Sequence, residues 1–327
     1  MIYFLYLLLA VAVVIISIKL SYYVDLLDKT TNISGAFIGG VMLAAVTSLP
    51  ELFTSISATL FINQPDLVLG NVLGSNLFNL AILGSLMLFS LKSFKSSFLS
   101  SSHKNTIIVT LAMYLLVSLA LVIPSSLSIF GINPISMLVF ALYVYAVKTM
   151  SGDDSQSEED DDEIITHLSK NQILTRFAML SLLLVLVSVG LTFATDIIAH
   201  KLNLGMTLAG ALLLGVATSL PELTSSISLV RLGNFNATTG NIVGSNLFNF
   251  SILFLADLFY TKGPLYSSNP QSSSLLLFGS IAGIAGFVAL HYKGKATKTS
   301  VETPGMLYAA SGIVTLISYL MFLQSSI

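Results

Sequence analysis

The stretch TSLPEL occupies residues 47–52, and the same six letters recur at residues 218–223. Both copies interrupt long apolar runs with a proline that is followed directly by a glutamate. A charged side chain in the middle of an apolar span is costly to bury, so its presence there indicates a functional role by default. Glu51 and Glu222 are therefore the first candidates for functional residues.

The composition is that of a membrane protein. Of the 327 residues, 54% are hydrophobic and only 9% are charged, whereas a soluble domain carries about a quarter charged residues. The net charge of −2 gives no support for nucleic-acid binding. The chain has no cysteine, which excludes disulfides, thiolate metal sites and cysteine nucleophiles.

Ten apolar segments are long enough to be membrane spans, since a helix needs about 20 mostly apolar residues to cross the bilayer core. The first segment has no basic stretch before it and no small-residue cleavage site, so we interpret it as a retained helix rather than a signal peptide. The serine-rich stretch 93–104 is predicted to be a solvated loop. The predicted spans are residues 2–20, 33–60, 66–90, 105–123, 129–148, 173–197, 204–230, 237–260, 273–291 and 304–323.

The basic residues orient these spans. Twelve of the fourteen lysines and arginines fall on the side that is reached after the first span, and such an excess marks the cytoplasmic side. Both termini are therefore predicted to lie outside, and the acidic linker 150–172 is predicted to be cytoplasmic. We interpret the linker as a solvated connector rather than a regulatory Ca²⁺ site, because it lacks EF-hand spacing. A prokaryotic plasma membrane, the inner membrane, fits this topology best.

The two halves of the chain repeat each other. TSLPELFTSIS at 47–57 matches TSLPELTSSIS at 218–228, and GNVLGSNLFN at 70–79 matches GNIVGSNLFN at 240–249. Each half, 1–149 and 173–327, has five predicted spans, and five is an odd number. The second half must then enter the membrane from the opposite side, which gives an inverted-topology repeat. This plan is common in secondary transporters, whose binding sites lie near the membrane midplane.

Proline explains why the motif interrupts a helix. Pro50 and Pro221 donate no backbone hydrogen bond, and each ring clashes with the carbonyl four residues earlier. The turns 44–47 and 215–218 can then present backbone oxygens to a cavity, and broken backbone at membrane depth is tolerated where it lines one.

Oxygen-bearing side chains surround the two motifs at helical spacing. Residues four apart share a helix face, and no sulfur or mid-span histidine joins the set. An all-oxygen shell suits the hard cations Ca²⁺, Na⁺ and Mg²⁺, and it fits Ca²⁺ better than Mg²⁺, which keeps several waters. The pairs are Thr47 with Glu51, Thr218 with Glu222, Ser75 with Asn79, and Ser245 with Asn249.

Other small and polar residues of the repeats are assigned structural roles. The Gly-x-x-x-Gly pairs are predicted to let helices approach closely. The asparagines of the Gly-Ser-Asn motif are either ion ligands or interhelical hydrogen bonders, and the second role is favoured. An interfacial or vestibule role is predicted for two aspartates, and no role is assigned to a third. These residues are, in order, Gly70 with Gly74, Gly240 with Gly244, Asn76 and Asn246, Asp25 and Asp196, and Asp257.

The two paired motifs resemble the α-repeats of sodium/calcium exchangers, within the cation/Ca²⁺ exchanger superfamily. The resemblance covers nearly the whole chain and implies four cation positions at the membrane centre. It implies that Glu51 and Glu222 bind Ca²⁺ between them. The further ligands that it implies are the carbonyls of Thr47 and Thr218; Ser48 and Ser75 with the Ala44 carbonyl at one Na⁺ position; Ser219 and Ser245 with the Gly215 carbonyl at its mirror; and Asn79 and Asn249 at the centre.

Three positions, Asn249, Gly74 and Gly244, depart from patterns found in members of the family that the chain resembles. Some family members have an aspartate where this chain has Asn249, so a third carboxylate is missing here. Proton-coupled relatives resemble this chain in fold but carry an extra glutamate in the glycine-rich motif, where this chain has Gly74 and Gly244.

The resulting hypothesis is a Ca²⁺/Na⁺ antiporter that works by alternating access and extrudes Ca²⁺. The alternative is an exchanger of the same fold that is coupled to H⁺ or carries another divalent cation. A cation channel is less favoured, because the paired inverted sites fit alternating access better. We expect no enzymatic activity, no cofactor beyond the transported ions, and no obligate protein partner besides the lipid bilayer.

Overall fold

The chain is helical in the parts that the computed structural model describes, which are residues 1–30, 43–97, 99–123, 128–129, 131–150, 169–299 and 305–326. One isolated bridge between Ile129 and Ile132 is the only β-type pairing in these ranges. Short π-helical segments, Ala58–Ile62 and Gly210–Leu214, interrupt two of the helices. The α-helices are α1 (Ile2–Thr30), α2 (Leu43–Thr47), α3 (Leu49–Ser57), α4 (Pro65–Phe89), α5 (Leu91–Ser96), α6 (Ser101–Val122), α7 (Pro134–Met150), α8 (Lys170–Leu202), α9 (Met206–Ala209), α10 (Gly215–Thr218), α11 (Leu220–Arg231), α12 (Phe235–Phe259), α13 (Pro270–Thr299) and α14 (Gly305–Ser326).

The helix lengths confirm the predicted all-α membrane fold. Within the described residues, α1, α4, α6, α8, α12, α13 and α14 each contain a segment long and apolar enough to cross a bilayer. An eighth span is the pair Met206–Thr218 and Leu220–Arg231, which is bent by 40°. The two remaining predicted spans, 33–60 and 129–148, overlap the shorter apolar helices Leu49–Ile62 and Pro134–Thr149. Most of the predicted linker 150–172 lies outside the described residues.

Helices α4 and α12 form the centre of the bundle. They are the most deeply buried spans, they pack against each other, and both carry the glycine-rich motif. Helices α1 and α8 pack along each other and leave much of their apolar surface exposed, as expected where lipid covers a helix. The two glutamate motifs lie between this outer pair and the central pair, because α3 packs on both α4 and α8, and α11 packs on both α12 and α1.

Glycine allows the close approach of α4 to the second half of the chain. A Cβ atom added at Gly70 would overlap the Thr207 carbonyl oxygen, and one at Gly74 would overlap Ala211 Cα. No larger residue fits at either position without moving the backbone. The predicted packing role of this Gly-x-x-x-Gly pair agrees with the observed contact.

The stretch 93–104 is not the solvated loop that its serines suggested. It contains the end of α5 and the start of α6. Phe94 is 1% exposed and packs edge-on against Phe235 and Tyr308, with ring centroids 6.1 and 5.4 Å away. The prediction was wrong because serines at a helix start cap the helix: Ser100 Oγ accepts a hydrogen bond from the Ser102 amide, as expected of an N-cap.

Asp257, to which the sequence assigned no role, holds the start of α7. Its Oδ2 accepts hydrogen bonds from the Asn133 amide at 2.8 Å and from Ser136 Oγ at 2.6 Å. Amides at a helix N-terminus have no partner within the helix and favour an acidic one. The residue therefore stabilises a connection between the fifth and eighth predicted spans.

Candidate cation-binding site

Each TSLPEL motif breaks its helix at the serine. Ser48 (φ −91°, ψ 7°) separates α2 from α3, and Ser219 (φ −89°, ψ 5°) separates α10 from α11. The proline is the second residue of the new helix, where a missing amide costs no hydrogen bond. Each glutamate therefore lies in the first turn of a helix that starts inside the bundle. The positive end of that helix dipole favours the carboxylate.

The two motifs are connected by crossed hydrogen bonds. Ser48 Oγ donates to Glu222 Oε1 at 2.9 Å, and Ser219 Oγ donates to Glu51 Oε1 at 2.9 Å. Both glutamates are 0% exposed. Because each serine lies three residues before the glutamate of its own motif, these bonds bring the two carboxyl groups into one small region. The structure thus joins the two residues that the sequence placed 171 positions apart.

Four buried oxygen atoms of the predicted ligand side chains accept no hydrogen bond from the described residues. They are Glu51 Oε2, Glu222 Oε2, Asn79 Oδ1 and Asn249 Oδ1, all of them buried. A buried polar atom without a partner costs free energy, and an unpaired carboxylate costs more. Carboxylate and amide carbonyl oxygens are the ligands that Ca²⁺ takes in proteins. A cation between the glutamates would supply the missing partner.

The predicted hydroxyl and carbonyl groups lie in two mirrored sets, but they are grouped differently from what the resemblance implied. Ser75 Oγ donates to the Gly215 carbonyl at 3.2 Å, not to Ala44. Ser245 Oγ donates to the Ala44 carbonyl at 3.4 Å and lies 3.3 Å from Thr47 Oγ1. The reason is packing: the long central helix of each half lies against the broken helix of the other half. Each set therefore draws residues from both halves.

Combined with the crossed hydrogen bonds of the motif serines, this packing defines the membership of both sets. The first set contains Ala44, Thr47, Ser48, Ser245 and Glu222, and the second contains Gly215, Thr218, Ser219, Ser75 and Glu51. Thr218 belongs to the second set by its place in the motif, although its Oγ1 donates to the Leu214 carbonyl at 2.9 Å.

Four asparagines connect α4 to α12 by hydrogen bonds. Asn76 Nδ2 donates to the Asn246 carbonyl at 3.3 Å, and Asn246 Nδ2 donates to the Asn76 carbonyl at 3.1 Å. Their side-chain oxygens accept from the neighbouring amides: Asn249 Nδ2 donates to Asn76 Oδ1 at 3.1 Å, and Asn79 Nδ2 donates to Asn246 Oδ1 at 3.0 Å. Asn76 and Asn246 are thus the interhelical hydrogen bonders that the sequence favoured.

A second pair of asparagines was not predicted from the sequence. Asn71 Nδ2 lies within hydrogen-bond distance of the Glu51 carbonyl, Thr54 Oγ1 and Ser55 Oγ, at 3.2, 3.0 and 2.9 Å. Its repeat counterpart, Asn241, donates to Ser225 Oγ at 3.2 Å. The signal was available, because both are the second letter of the repeated GN motif in an otherwise apolar run.

The chain is similar to known membrane proteins. The profile of the family described as sodium/calcium exchanger protein matches residues 2–149 and 173–327. The inner membrane protein YrbG of Escherichia coli (strain K12) is 28% identical over 277 residues, which cover 79% of this chain and 81% of YrbG.

Two solved structures share the fold. One is the sodium-calcium exchanger NCX_Mj, with a TM-score of 0.60 and 22% identity over 99% of both chains. The other is the H⁺/Ca²⁺ exchanger CAX, with a TM-score of 0.68 and 15% identity over 99% of this chain and 88% of that one. At these identities the likeness shows the fold alone. The two exchangers share this fold and differ in their coupling ion, so the fold by itself does not select one.

Proposed function

Because this chain belongs to the sodium/calcium exchanger protein family, we propose that it is a membrane antiporter that exchanges Ca²⁺ for Na⁺ by alternating access. The family is one of membrane exchangers of cations. The choice of Ca²⁺ as the cargo and Na⁺ as its counter-ion is the finer part of the proposal.

The observation that carries the proposal is the pair of buried glutamates with unsatisfied oxygens. Glu51 and Glu222 each keep one carboxylate oxygen that accepts no hydrogen bond from the described residues. In the proposal Ca²⁺ binds between these two carboxylates, and the Oδ1 atoms of Asn79 and Asn249 complete its shell. Ca²⁺ accepts six to eight oxygens in flexible geometry, which suits a shell drawn from four helices.

The two mirrored sets are the proposed Na⁺ positions. One Na⁺ is coordinated by the set around Glu222, with the Ala44 carbonyl, Thr47, Ser48 and Ser245. The other is coordinated by the set around Glu51, with the Gly215 carbonyl, Thr218, Ser219 and Ser75. Each set shares its glutamate with the central Ca²⁺ position, so Ca²⁺ and Na⁺ compete for the same charge. Competition of this kind is what antiport requires.

One feature supports Na⁺ rather than H⁺ as the counter-ion. The extra glutamate of proton-coupled relatives would fall at position 74 or 244. At Gly74 even a Cβ would overlap Ala211 Cα, so the packing leaves no room for a longer side chain. The alternative remains an H⁺-coupled exchanger, the activity named for the CAX structure that shares this fold.

Charge balance supplies the coupling rule. We use the word cage for Glu51, Glu222 and the two mirrored sets around them. Its two carboxylates carry −2, which one Ca²⁺ or two Na⁺ neutralise. An unloaded cage leaves two charges unpaired in a low-dielectric interior. That state is costly, so the helices are expected to switch sides only when the cage is filled. If a third Na⁺ binds, each cycle moves one charge, and a potential of 100 mV contributes about 2.3 kcal/mol. A negative-inside membrane then favours Ca²⁺ export.

The proposed location is the plasma membrane, with both termini outside and the linker 150–172 in the cytoplasm. The supporting observation is the distribution of the basic residues, which the positive-inside rule connects to topology.

The test is Ca²⁺ uptake into proteoliposomes that contain the purified protein. Vesicles are loaded with Na⁺ and diluted into Na⁺-free buffer with radiolabelled Ca²⁺, and a parallel set carries an outward H⁺ gradient instead. The membrane potential is clamped with K⁺ and valinomycin. Glu51→Gln and Glu222→Gln are compared with Asp196→Asn, a control at the partly exposed aspartate that lies 3.5 Å from His200 Nε2.

Uptake that follows the Na⁺ gradient and disappears in both glutamine variants supports the proposal. Uptake that follows only the H⁺ gradient would keep the site and replace the counter-ion. Flux that ignores both gradients and rises linearly with Ca²⁺ would indicate a channel and contradict antiport.

A further inference from the structure

Backbone carbonyls fix the orientation of two of the four asparagine amides that connect α4 to α12. A carbonyl oxygen can only accept a hydrogen bond. The Asn246 carbonyl therefore requires the amino group of Asn76, and the Asn76 carbonyl requires the amino group of Asn246. Flipping either amide would place its oxygen against a backbone carbonyl oxygen at one bond and its amino group against the amino group of Asn249 or Asn79 at the other.

The same constraint passes to the next residues. With their amino groups committed to the backbone, Asn76 and Asn246 present Oδ1 to the opposite helix. Asn249 and Asn79 must then turn their amino groups toward these oxygens, at 3.1 and 3.0 Å. As a result, the Oδ1 atoms of Asn79 and Asn249 face away from the asparagine cluster, where no described residue donates to them.

We infer that Asn76 and Asn246 are positioning residues that make Asn79 and Asn249 cation acceptors. They act across the helix interface: Asn76 in α4 orients Asn249 in α12, and Asn246 in α12 orients Asn79 in α4. Without them, each ligand amide could rotate and present its amino group to the cation, which would repel it. The inference deepens the proposed function and rests on it, because it assigns a role at the same Ca²⁺ position.

The crossed arrangement gives a test that a merely structural role would not pass. Asn76 and Asn79 lie one helical turn apart on α4, yet the hydrogen bonds join each of them to α12. If Asn76 acts through Asn249, then removing Asn76 matters little once Asn249 is gone. Asn76 and Asn79 should instead contribute almost independently, since residues that act as a unit are non-additive and separate ones are additive.

The experiment is a set of double-mutant cycles with Ca²⁺ as the probe. The dissociation constant for Ca²⁺ is measured by titration of the purified full-length protein, after size-exclusion chromatography has confirmed a folded population. The variants are Asn76→Ala, Asn246→Ala, Asn79→Ala and Asn249→Ala, together with the four pairwise combinations of one positioning residue and one ligand residue.

Each single substitution is expected to weaken Ca²⁺ binding about tenfold, the lower end for residues that orient metal ligands. The crossed pairs 76/249 and 246/79 should lose about tenfold in total, whereas the same-helix pairs 76/79 and 246/249 should lose roughly a hundredfold. If one positioning variant does not fold, the cycle around the other tests the same inference.

Equal coupling in crossed and same-helix pairs, or stronger coupling in the same-helix pairs, would overturn the inference. Single positioning variants that bind Ca²⁺ like the wild type would do the same. Failure of the proposed function is distinguishable from either result, because then the wild-type protein itself would not bind Ca²⁺.

Discussion

The two broken helices are alike up to their glutamates and differ beyond them. After Glu51, Asn71 lies within hydrogen-bond distance of three groups on α3, and Thr192 of α8 donates to the Thr54 carbonyl at 3.4 Å. After Glu222, Asn241 makes a single hydrogen bond from its amino group, to Ser225. Thr54 is fully buried, whereas its repeat counterpart Ser225 is half-buried.

The difference separates the parts of the molecule that must be symmetric from the parts that need not be. The side chains around the two glutamates are of the same types on both sides, as expected if one cation interacts with both carboxylates, and only the carbonyl-bearing residues Ala44 and Gly215 differ. The helix segments that follow the two glutamates differ in how many hydrogen bonds hold them to their neighbours. We interpret this conformation as one in which the α3 half is fixed by packing and the α11 half is the less constrained. Substitutions of cage residues, and of residues on or against the helix segments that follow the glutamates, test this comparison. The cage substitutions are expected to have the larger effect on function.

The glutamates should be equivalent. At an effective dielectric constant of about 20, a unit charge about 4 Å from a divalent cation contributes about 8 kcal/mol, and even half of that is roughly a thousandfold in affinity. Glu51→Gln and Glu222→Gln should therefore each abolish Ca²⁺ transport at concentrations that saturate the wild type, whereas Asp196→Asn should not. Initial uptake rates measure this. Normal transport by either glutamine variant would contradict the equivalence of the two glutamates.

The crossed serines should also be equivalent, with a smaller effect. Ser48→Ala and Ser219→Ala each remove a hydroxyl bonded to the opposite glutamate, and residues that orient or supply metal ligands cost about tenfold. The Na⁺ concentration that gives half-maximal Ca²⁺ uptake should rise by this factor in both. Ser228→Ala is the matched control, because that exposed hydroxyl donates only to the Thr224 carbonyl of its own helix. A shift in one variant alone would contradict the mirrored sets.

The asparagines behind the glutamates should be unequal. The Asn71 amino group can donate two hydrogen bonds, whereas that of Asn241 makes one, to Ser225. At about 0.6 kcal/mol for each interhelical hydrogen bond in a membrane protein, Asn71→Ala should lower the free energy of unfolding by about 1.2 kcal/mol and Asn241→Ala by about 0.6 kcal/mol. Unfolding in mixed detergent micelles would measure both values. Equal losses, or a larger loss for Asn241→Ala, would remove the basis for calling the α3 half the more tightly held.

Thiol labelling measures the same asymmetry without removing a ligand. The wild-type chain has no cysteine, so single cysteines report without background. Thr54→Cys should react several-fold more slowly than Ser225→Cys with a membrane-impermeant reagent, and exposed Ser228→Cys sets the upper rate. Reagent added from one side at a time also tests the topology, because Ser228→Cys should react from the cytoplasm. Faster labelling of Thr54→Cys would contradict the interpretation.

Much of the fold and the centre of the site could be predicted because they depend on local chemistry. Hydropathy gives the spans, and a proline inside a span gives a break. The two glutamates stood out because a carboxylate at membrane depth is too costly to occur without a purpose. The breaks at Ser48 and Ser219 and the meeting of Glu51 with Glu222 agree with these facts and with the repeat.

The grouping of the other candidate ligands could not be predicted from the sequence. It depends on how α4 lies against α9 and α10, and this is why Ser75 meets Gly215 instead of Ala44. Local spacing describes one helix face and says nothing about which helix that face meets. The same reason explains Asp257, whose partner Ser136 is 121 positions away. The start of α6 within 93–104 was missed because serine is common both in loops and at helix N-caps.

Whether Glu51 and Glu222 form one cation cage is answered by the stoichiometry of Ca²⁺ binding to the purified protein. Equilibrium dialysis with radiolabelled Ca²⁺ would compare the wild type with Glu51→Gln, Glu222→Gln and the Asp196→Asn control. We predict one Ca²⁺ per chain that Na⁺ displaces, retained in the control and lost in both glutamine variants. Undiminished binding in either glutamine variant, or two independent Ca²⁺ ions per chain with one lost in each, would contradict a shared cage.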